Sequence, residues 1–214
     1  MKVFNKNNFM IHSLASGYPS HAKENIHVTS DFTEATNGHY LIRVYTKDEK
    51  EADVPETDNL KALKEKIDVL IPANSAREIE KAIPKKQYPQ ILNHTWLGEN
   101  TNDDTVEFIC TDLETWKPTV VRKVKERYPN TESIISSMGK DKPKVTIGFK
   151  SEYMEKLCQQ FKKADIKGIK LSIYGDDKAM KLEGKNSDGQ EVLVILMPTK
   201  PWRSKNESKR HKPN

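Results

Sequence analysis

Apolar and polar residues alternate along Asn25–Thr29 and again along Tyr40–Tyr45, the period-2 pattern of strands that bury one face. Between them, Asn37-Gly38 predicts a two-residue type I′ hairpin turn, because both residues tolerate the positive φ that this turn needs. Toward the C-terminal end, Lys144–Phe149 reads as a strand. Ser151 then caps a helix whose apolar residues Met154, Leu157, Cys158 and Phe161 recur at helical spacing, and Gly168 marks its end. Strands follow at Ile169–Tyr174, Ala179–Glu183 and Glu191–Leu196, with Gly175-Asp176-Asp177 and Asn186–Gly189 as turns. The order is β-α-β-β-β.

The same order recurs upstream. Ile67–Ile71 leads into a helix around Asn74–Ile83 with Ala76, Ile79 and Ile83 on one face, then strands near Gln90–Trp96, Thr105–Thr111 and Thr119–Lys125. A first unit has a strand at Val3–Asn5, a short helix around Phe9–Leu14 that ends at Gly17-Tyr18-Pro19, and strands at Asn25–Thr29, Thr33–Thr36 and Tyr40–Tyr45. A charged linker, Lys47–Lys66, with a helical turn at Leu60–Leu63, joins units one and two. Each unit has one helix with one apolar stripe, so two units make a natural two-layer domain while the third has no internal partner. The expected architecture is α+β, three repeated units with sheets outside and helices on one face. The expected division is 1–140 for a two-unit domain, 141–200 for the third unit and 201–214 for a disordered basic tail.

Charge changes the picture little. Lys200, Arg203, Lys205, Lys209, Arg210 and Lys212 against Glu207 alone account for the net charge of +5, so the body of the chain is neutral. The tail suits either phosphate screening or simple solubilisation. No apolar run approaches the roughly 18 residues of a membrane span, and Met1–Asn5 lacks the apolar core of a secretory signal. Cys110 and Cys158 form no motif and read as two buried thiols in a reducing compartment. A cytoplasmic protein with no membrane contact is expected. The six histidines have no metal-ligand spacing, and there is no Gly-rich phosphate loop with its lysine, so neither a metal nor a cofactor is expected.

Three short segments point further. Ala35–Leu41 reads A-T-N-G-H-Y-L, Glu126–Ile135 reads E-R-Y-P-N-T-E-S-I-I, and Leu196–Thr199 reads L-M-P-T. In this order and spacing the chain resembles the bacterial sliding clamp, the β subunit of the replicative DNA polymerase. That family carries A-T-D-G-H-R-L, G-x-F-P-D-Y-x-x-V-[IL] and a final V-M-P. The resemblance covers roughly residues 1–200 and implies a DNA-clamp-like fold. It also implies a non-enzymatic processivity factor or adaptor in DNA replication, whose partners are polymerase or repair proteins bound through short linear peptides. Carried over position by position, the peptide groove takes Thr36, Gly38, His39 and Leu41, then Pro129 and Ile134, then Ile195, Met197 and Pro198. Non-specific contact with double-stranded DNA falls to Arg77, Lys81, Lys85 and Lys86 on the second helix and to Lys156, Lys163 and Lys167 on or after the third.

The family's chain has six units and closes a ring as a dimer, whereas this chain has three. By alignment it corresponds to the middle domain followed by the second half of the last one. A homo-oligomer and a ring-less peptide-binding module of phage or mobile-element type both fit. A metal-dependent nuclease is the enzymatic alternative, with Asp103, Asp104, Glu107, Asp112, Glu114 and Lys117 around one hairpin.

Overall fold

The computed structural model describes residues 2–15, 24–48, 66–84, 90–98, 100–112, 114–139 and 143–199. The expected break at Gly17-Tyr18-Pro19, the helical turn at Leu60–Leu63, Lys85, Lys86 and the tail 201–214 lie outside them. The chain divides into two compact units, Met1–Ile135 and Ser136–Asn214.

The first unit contains β1 (Lys2–Asn5), α1 (Lys6–Met10), β2 (Asn25–Thr29), β3 (Phe32–Thr36), β4 (Leu41–Tyr45) and β5 (Lys47–Asp48), then β6 (Asp68–Pro72), α2 (Ala73–Ala82), β7 (His94–Leu97), β8 (Thr105–Thr111) and β9 (Trp116–Arg122). A helix α3 (Thr131–Gly139) spans the division between the units. The second unit contains α4 (Ser151–Lys163), β10 (Lys170–Ser172), β11 (Met180–Lys185) and β12 (Glu191–Leu196).

Helix α1 spans five residues and is fixed by its asparagine side chains. The Asn5 side chain accepts from the Asn7 N–H at 2.9 Å, and the Asn8 side chain returns the favour to the Asn5 N–H at 2.9 Å, a capping box built from asparagines. Buried Asn8 also donates to Thr33 Oγ1 and to the Val44 carbonyl, which pins the helix to β3 and β4. Ile11–Leu14 continues as a 3₁₀ turn. Helix α2 buries Ala76 and Ile79 as its spacing predicts, with Ile83 buried just past its end.

The two repeats of the first unit are not self-contained. β1 pairs antiparallel with β7 of the second repeat, and β6 pairs antiparallel with β2 of the first. The sheets are therefore β5-β1-β7-β8-β9 and β4-β3-β2-β6, the first holding β1 and the short β5 from the first repeat and the second holding β6 from the second. α1 packs against α2, and one apolar core runs through both repeats, including Phe4, Phe9, Ile26, Ile71, Ile79, Val106 and Phe108.

In the second unit a three-stranded sheet β10-β11-β12 packs Met180, Leu182 and Leu196 against Phe161 and Ile166. A Cβ at Gly184 would collide with Ile166 and press on Phe161, so the helix end and β11 approach closely there.

Several expectations are corrected. Thr36 pairs with Leu41, so the Asn37-Gly38 hairpin has a four-residue loop. Among its residues only Gly38 has a positive φ, 92°, which excludes the type I′ turn. Gln90–Asn93 is a 3₁₀ turn, and β9 begins at Trp116 instead of Thr119. Lys144–Phe149 is not a ladder strand; its one pairing is an isolated bridge from Gly148 to Thr199. Lys150, with no side-chain bond, caps α4, and Ser151 is its first residue. Asp165 at φ 53°, not Gly168, ends that helix, with the Ile166 N–H reaching back to the Phe161 carbonyl at 2.9 Å as in a Schellman motif. Cys110 is buried, but Cys158 is exposed on α4.

Candidate peptide-binding site

The loop after β3 is held by its own side chains. Thr36 is buried, and its hydroxyl donates to the Tyr40 carbonyl while accepting from the Gly38 N–H at 3.1 Å. Asn37 Oδ1 accepts from the N–H groups of His39 and Tyr40, an Asx turn. The phenol of Tyr40 donates to the Leu14 carbonyl at 2.9 Å, which ties the loop to the end of the first helical segment. These bonds present Gly38, His39 and Tyr40 at the surface of a rigid loop, with Leu41 half-buried beside them. The side chain of the carried-over Thr36 is thus turned inward, where it shapes the loop and is not part of its surface.

The second carried-over segment is joined to this sheet by a buried ionic network. Glu34, on β3, is fully buried and lies opposite both His27 of β2 and Arg43 of β4. Its carboxylate meets His27 Nδ1 at 2.9 Å, Arg43 Nε at 2.9 Å and the Thr131 hydroxyl at 2.7 Å. Arg43 continues to Glu132 at 2.8 Å and to Thr131 Oγ1 at 3.2 Å, with its guanidinium 3.8 Å above the Phe32 ring. Tyr128 lies 4.8 Å from the His27 ring, and its hydroxyl points at the Glu34 carbonyl. Residues 128–132 are therefore bound to β2, β3 and β4. The chain around them exposes Pro129, and Ile134 is 56% exposed on α3.

The sequence reading missed this network, although a signal was available. Once β3 and β4 form a hairpin closed by Thr36 and Leu41, Glu34 and Arg43 fall opposite each other, and opposite charges facing across a ladder stabilise it. The start of α3 was marked too. Asn130 precedes it, and the Ser133 N–H donates to Asn130 Oδ1 at 3.1 Å.

On the second unit, Ile195 and Met197 are exposed at 56% and 65%, and Pro198 is half-buried. Ile195 faces outward beside Leu193, opposite Lys181 and Glu183, which pair with each other at 3.0 Å. The candidate DNA-binding side chains are exposed but mixed with acids. Lys81 is bound to Glu78 at 2.9 Å, Arg77 lies beside them, and Lys156, Lys163 and Lys167 project from the α4 region.

The acidic hairpin is occupied by its own structure. Asp112 accepts first from the Thr115 backbone and hydroxyl and then from Lys117, which holds its pKa at about 2. Asp104 pairs with Lys125 at 2.6 Å, and buried Glu107 accepts from the backbone and side chain of Asn100. Among the described residues no cluster of three or more His, Cys, Asp or Glu side chains is placed to hold a metal ion.

Titration of the network has a defined sign. Burial opposes a charge on His27, but bonds to Glu34 and Asp68 outweigh it and raise the pKa above its usual 6.5. Burial likewise opposes ionised Glu34, and bonds from His27, Thr131 and Arg43 outweigh it and lower the pKa below 4.5. The His27 contribution is complete below pH 6.5 and is lost as pH rises through the raised value. The Glu34 contribution is complete above pH 4.5 and is lost as pH falls through the lowered one. Urea midpoints are expected to fall from pH 6 to pH 9, and to fall less steeply in His27→Gln. Equal slopes in the two proteins would show that His27 is not coupled to folding.

No protein-family model and no curated protein sequence matches the chain. Solved structures do. The β subunit from the DNA polymerase of Streptococcus pyogenes is 13% identical with a TM-score of 0.59, over 92% of this chain and 49% of that one. The DNA polymerase sliding clamp from Pseudomonas aeruginosa gives 10% and 0.58, and the polymerase III β protein of Caulobacter crescentus gives 12% and 0.59, each over 92% of this chain and 50% of theirs. The chain spans about half the length of these proteins. Its α+β architecture is the fold of the bacterial DNA polymerase sliding clamps.

Proposed function

We propose that this chain is a non-enzymatic, clamp-like adaptor of DNA replication that captures short linear peptides of polymerase or repair proteins. The observation that carries the reading is that one sheet carries both a surface-presented Gly38-His39-Tyr40 loop, held by Thr36 and Asn37 at the end of β3, and residues 128–132, bound to the same strand through Glu34. A preorganised loop spends little entropy on binding. Gly38 admits close backbone approach, while Leu41, Pro129 and Ile134 offer apolar contact. On the second unit Ile195, Met197 and Pro198 offer apolar contact of their own, where the flexible Met side chain suits varied partners. Arg77, Lys81, Lys156, Lys163 and Lys167 contribute non-specific, salt-sensitive contact with double-stranded DNA.

Titration of a fluorescently labelled clamp-binding peptide tests this reading. His39→Ala and Met197→Ala are each expected to weaken binding about tenfold, or ~1.4 kcal/mol. Unchanged affinity in both variants would sink the assigned site. No described helix is long and apolar enough to cross a membrane.

A further inference from the structure

In the first unit each repeat follows one rule. Its first strand is bordered on one edge by the end of its own repeat, β1 by β5 and Leu70 of β6 by Val124. On the other edge it joins the strand that follows the helix of the other repeat, β1 on β7 and β6 on β2. The second unit completes only the first half of this rule. Gly148 pairs with Thr199 at the end of its own repeat, the Thr199 N–H donating to the Gly148 carbonyl at 2.8 Å. Among the described residues the other edge of 144–149 has no ladder partner, and neither has the open edge of β10, the strand after the helix. Most apolar side chains on and beside these two segments are exposed, Val145 and Phe149 at 45% each and Ile169, Leu171 and Ile173 at 39%, 49% and 46%, while Ile147 packs half-buried on the unit's core. Helix α4 buries only Phe161, leaving Met154 and Leu157 half-covered, whereas α1 and α2 cover each other.

We propose that two copies of this chain associate through their second units by reciprocal strand exchange, residues 144–149 of each copy pairing antiparallel with β10 of the other. A segment without its second edge partner and an open β10 edge, the edge that the first unit's rule would fill with such a segment, belong to the same unit, so a twofold axis satisfies both at once. The pairing would build one complete two-repeat domain from two halves and bring the exposed sides of both α4 helices together. The occupant is a second copy because the unit already holds both halves of the contact. It rests on the strand pattern, so a failed peptide titration leaves it standing.

Sedimentation of the full chain at tens of micromolar is expected to give twice the chain mass of 24.6 kDa. Val145→Asp and Leu171→Asp change exposed side chains, one on each half of the contact, and are each expected to give monomers that keep the wild-type circular dichroism. Hydrogen exchange of the wild-type amides gives a second readout: those of 144–149 and 170–172 should gain protection as concentration rises. A wild-type monomer overturns the proposal. So does a dimer that survives both substitutions, or one whose 144–149 amides exchange at the same rate at every concentration.

Discussion

Replacing Glu34 by alanine is expected to cost about 3–5 kcal/mol of unfolding free energy, the range for removing one partner of a buried ion pair. The Arg43 side chain is 9% exposed and that of Glu34 1%, so water cannot take over the lost bonds. Arg43 would keep Glu132, whose side chain is 65% exposed and correspondingly screened. His27 would lose its Nδ1 partner, and Thr131 would lose the acceptor of its hydroxyl. Glu34→Leu with Arg43→Met removes both charges and is expected to recover a large part of the loss, because apolar groups of similar volume avoid the desolvation that the pair incurs. Urea unfolding of the three variants measures this. Amide exchange in residues 128–134 adds a local readout and should quicken in Glu34→Ala, since that segment is bound through Thr131, Glu132 and Tyr128. A cost under ~1 kcal/mol would place the network among screened surface pairs.

How far the fold could be read from the sequence depends on whether the signal was local. The alternation in Asn25–Thr29 and Tyr40–Tyr45, with the strand at Thr33–Thr36 and the Asn-Gly turn between them, placed three strands to within a residue, and Ala76, Ile79 and Ile83 placed the face of α2, because a buried helix face leaves its period in the residues themselves. Strand exchange leaves no such mark. Nothing local in Val3-Phe4 says that β1 joins β7 and not β2, and the partner is set by how both helices share one core. Lys144–Phe149 shows the converse. Its apolar residues alternate as in a strand, yet a strand needs an edge to pair with, and this unit offers one bridge. Helix α3 was hidden by Ser136, Ser137 and Gly139, weak helix formers that mask the cap at Asn130. At the candidate site, Gly38 and His39 were legible from their motif. Glu34 was not, because an acid inside a strand reads as solvent-facing until the opposing Arg43 and His27 are placed beside it.

Phe108→Ala is expected to cost about 3–5 kcal/mol, as large-to-small changes at fully buried aromatic positions do. Phe108 has no exposed surface and meets Phe9 at 5.3 Å and Phe4 at 6.0 Å between ring centroids, both edge-on, the arrangement the ring quadrupoles favour. The loss has a further consequence because the three rings come from different repeats: Phe4 from β1 and Phe9 from α1 in the first, Phe108 from β8 in the second. With β1 and β6 exchanged, neither repeat owns a complete sheet, so the cavity should weaken both together. Native-state hydrogen exchange is expected to show β2, β3, β7 and β8 losing protection in parallel, as one cooperative block. The second unit has its own core of Phe161, Ile166, Met180, Leu182 and Leu196, and its amides should keep their wild-type rates. Loss of protection confined to β7, β8 and β9 would mean that the repeats open separately and that the exchanged strands do not couple them. Parallel loss would show that the exchange is what makes two weak repeats into one domain, which is the arrangement the second unit lacks within a single chain.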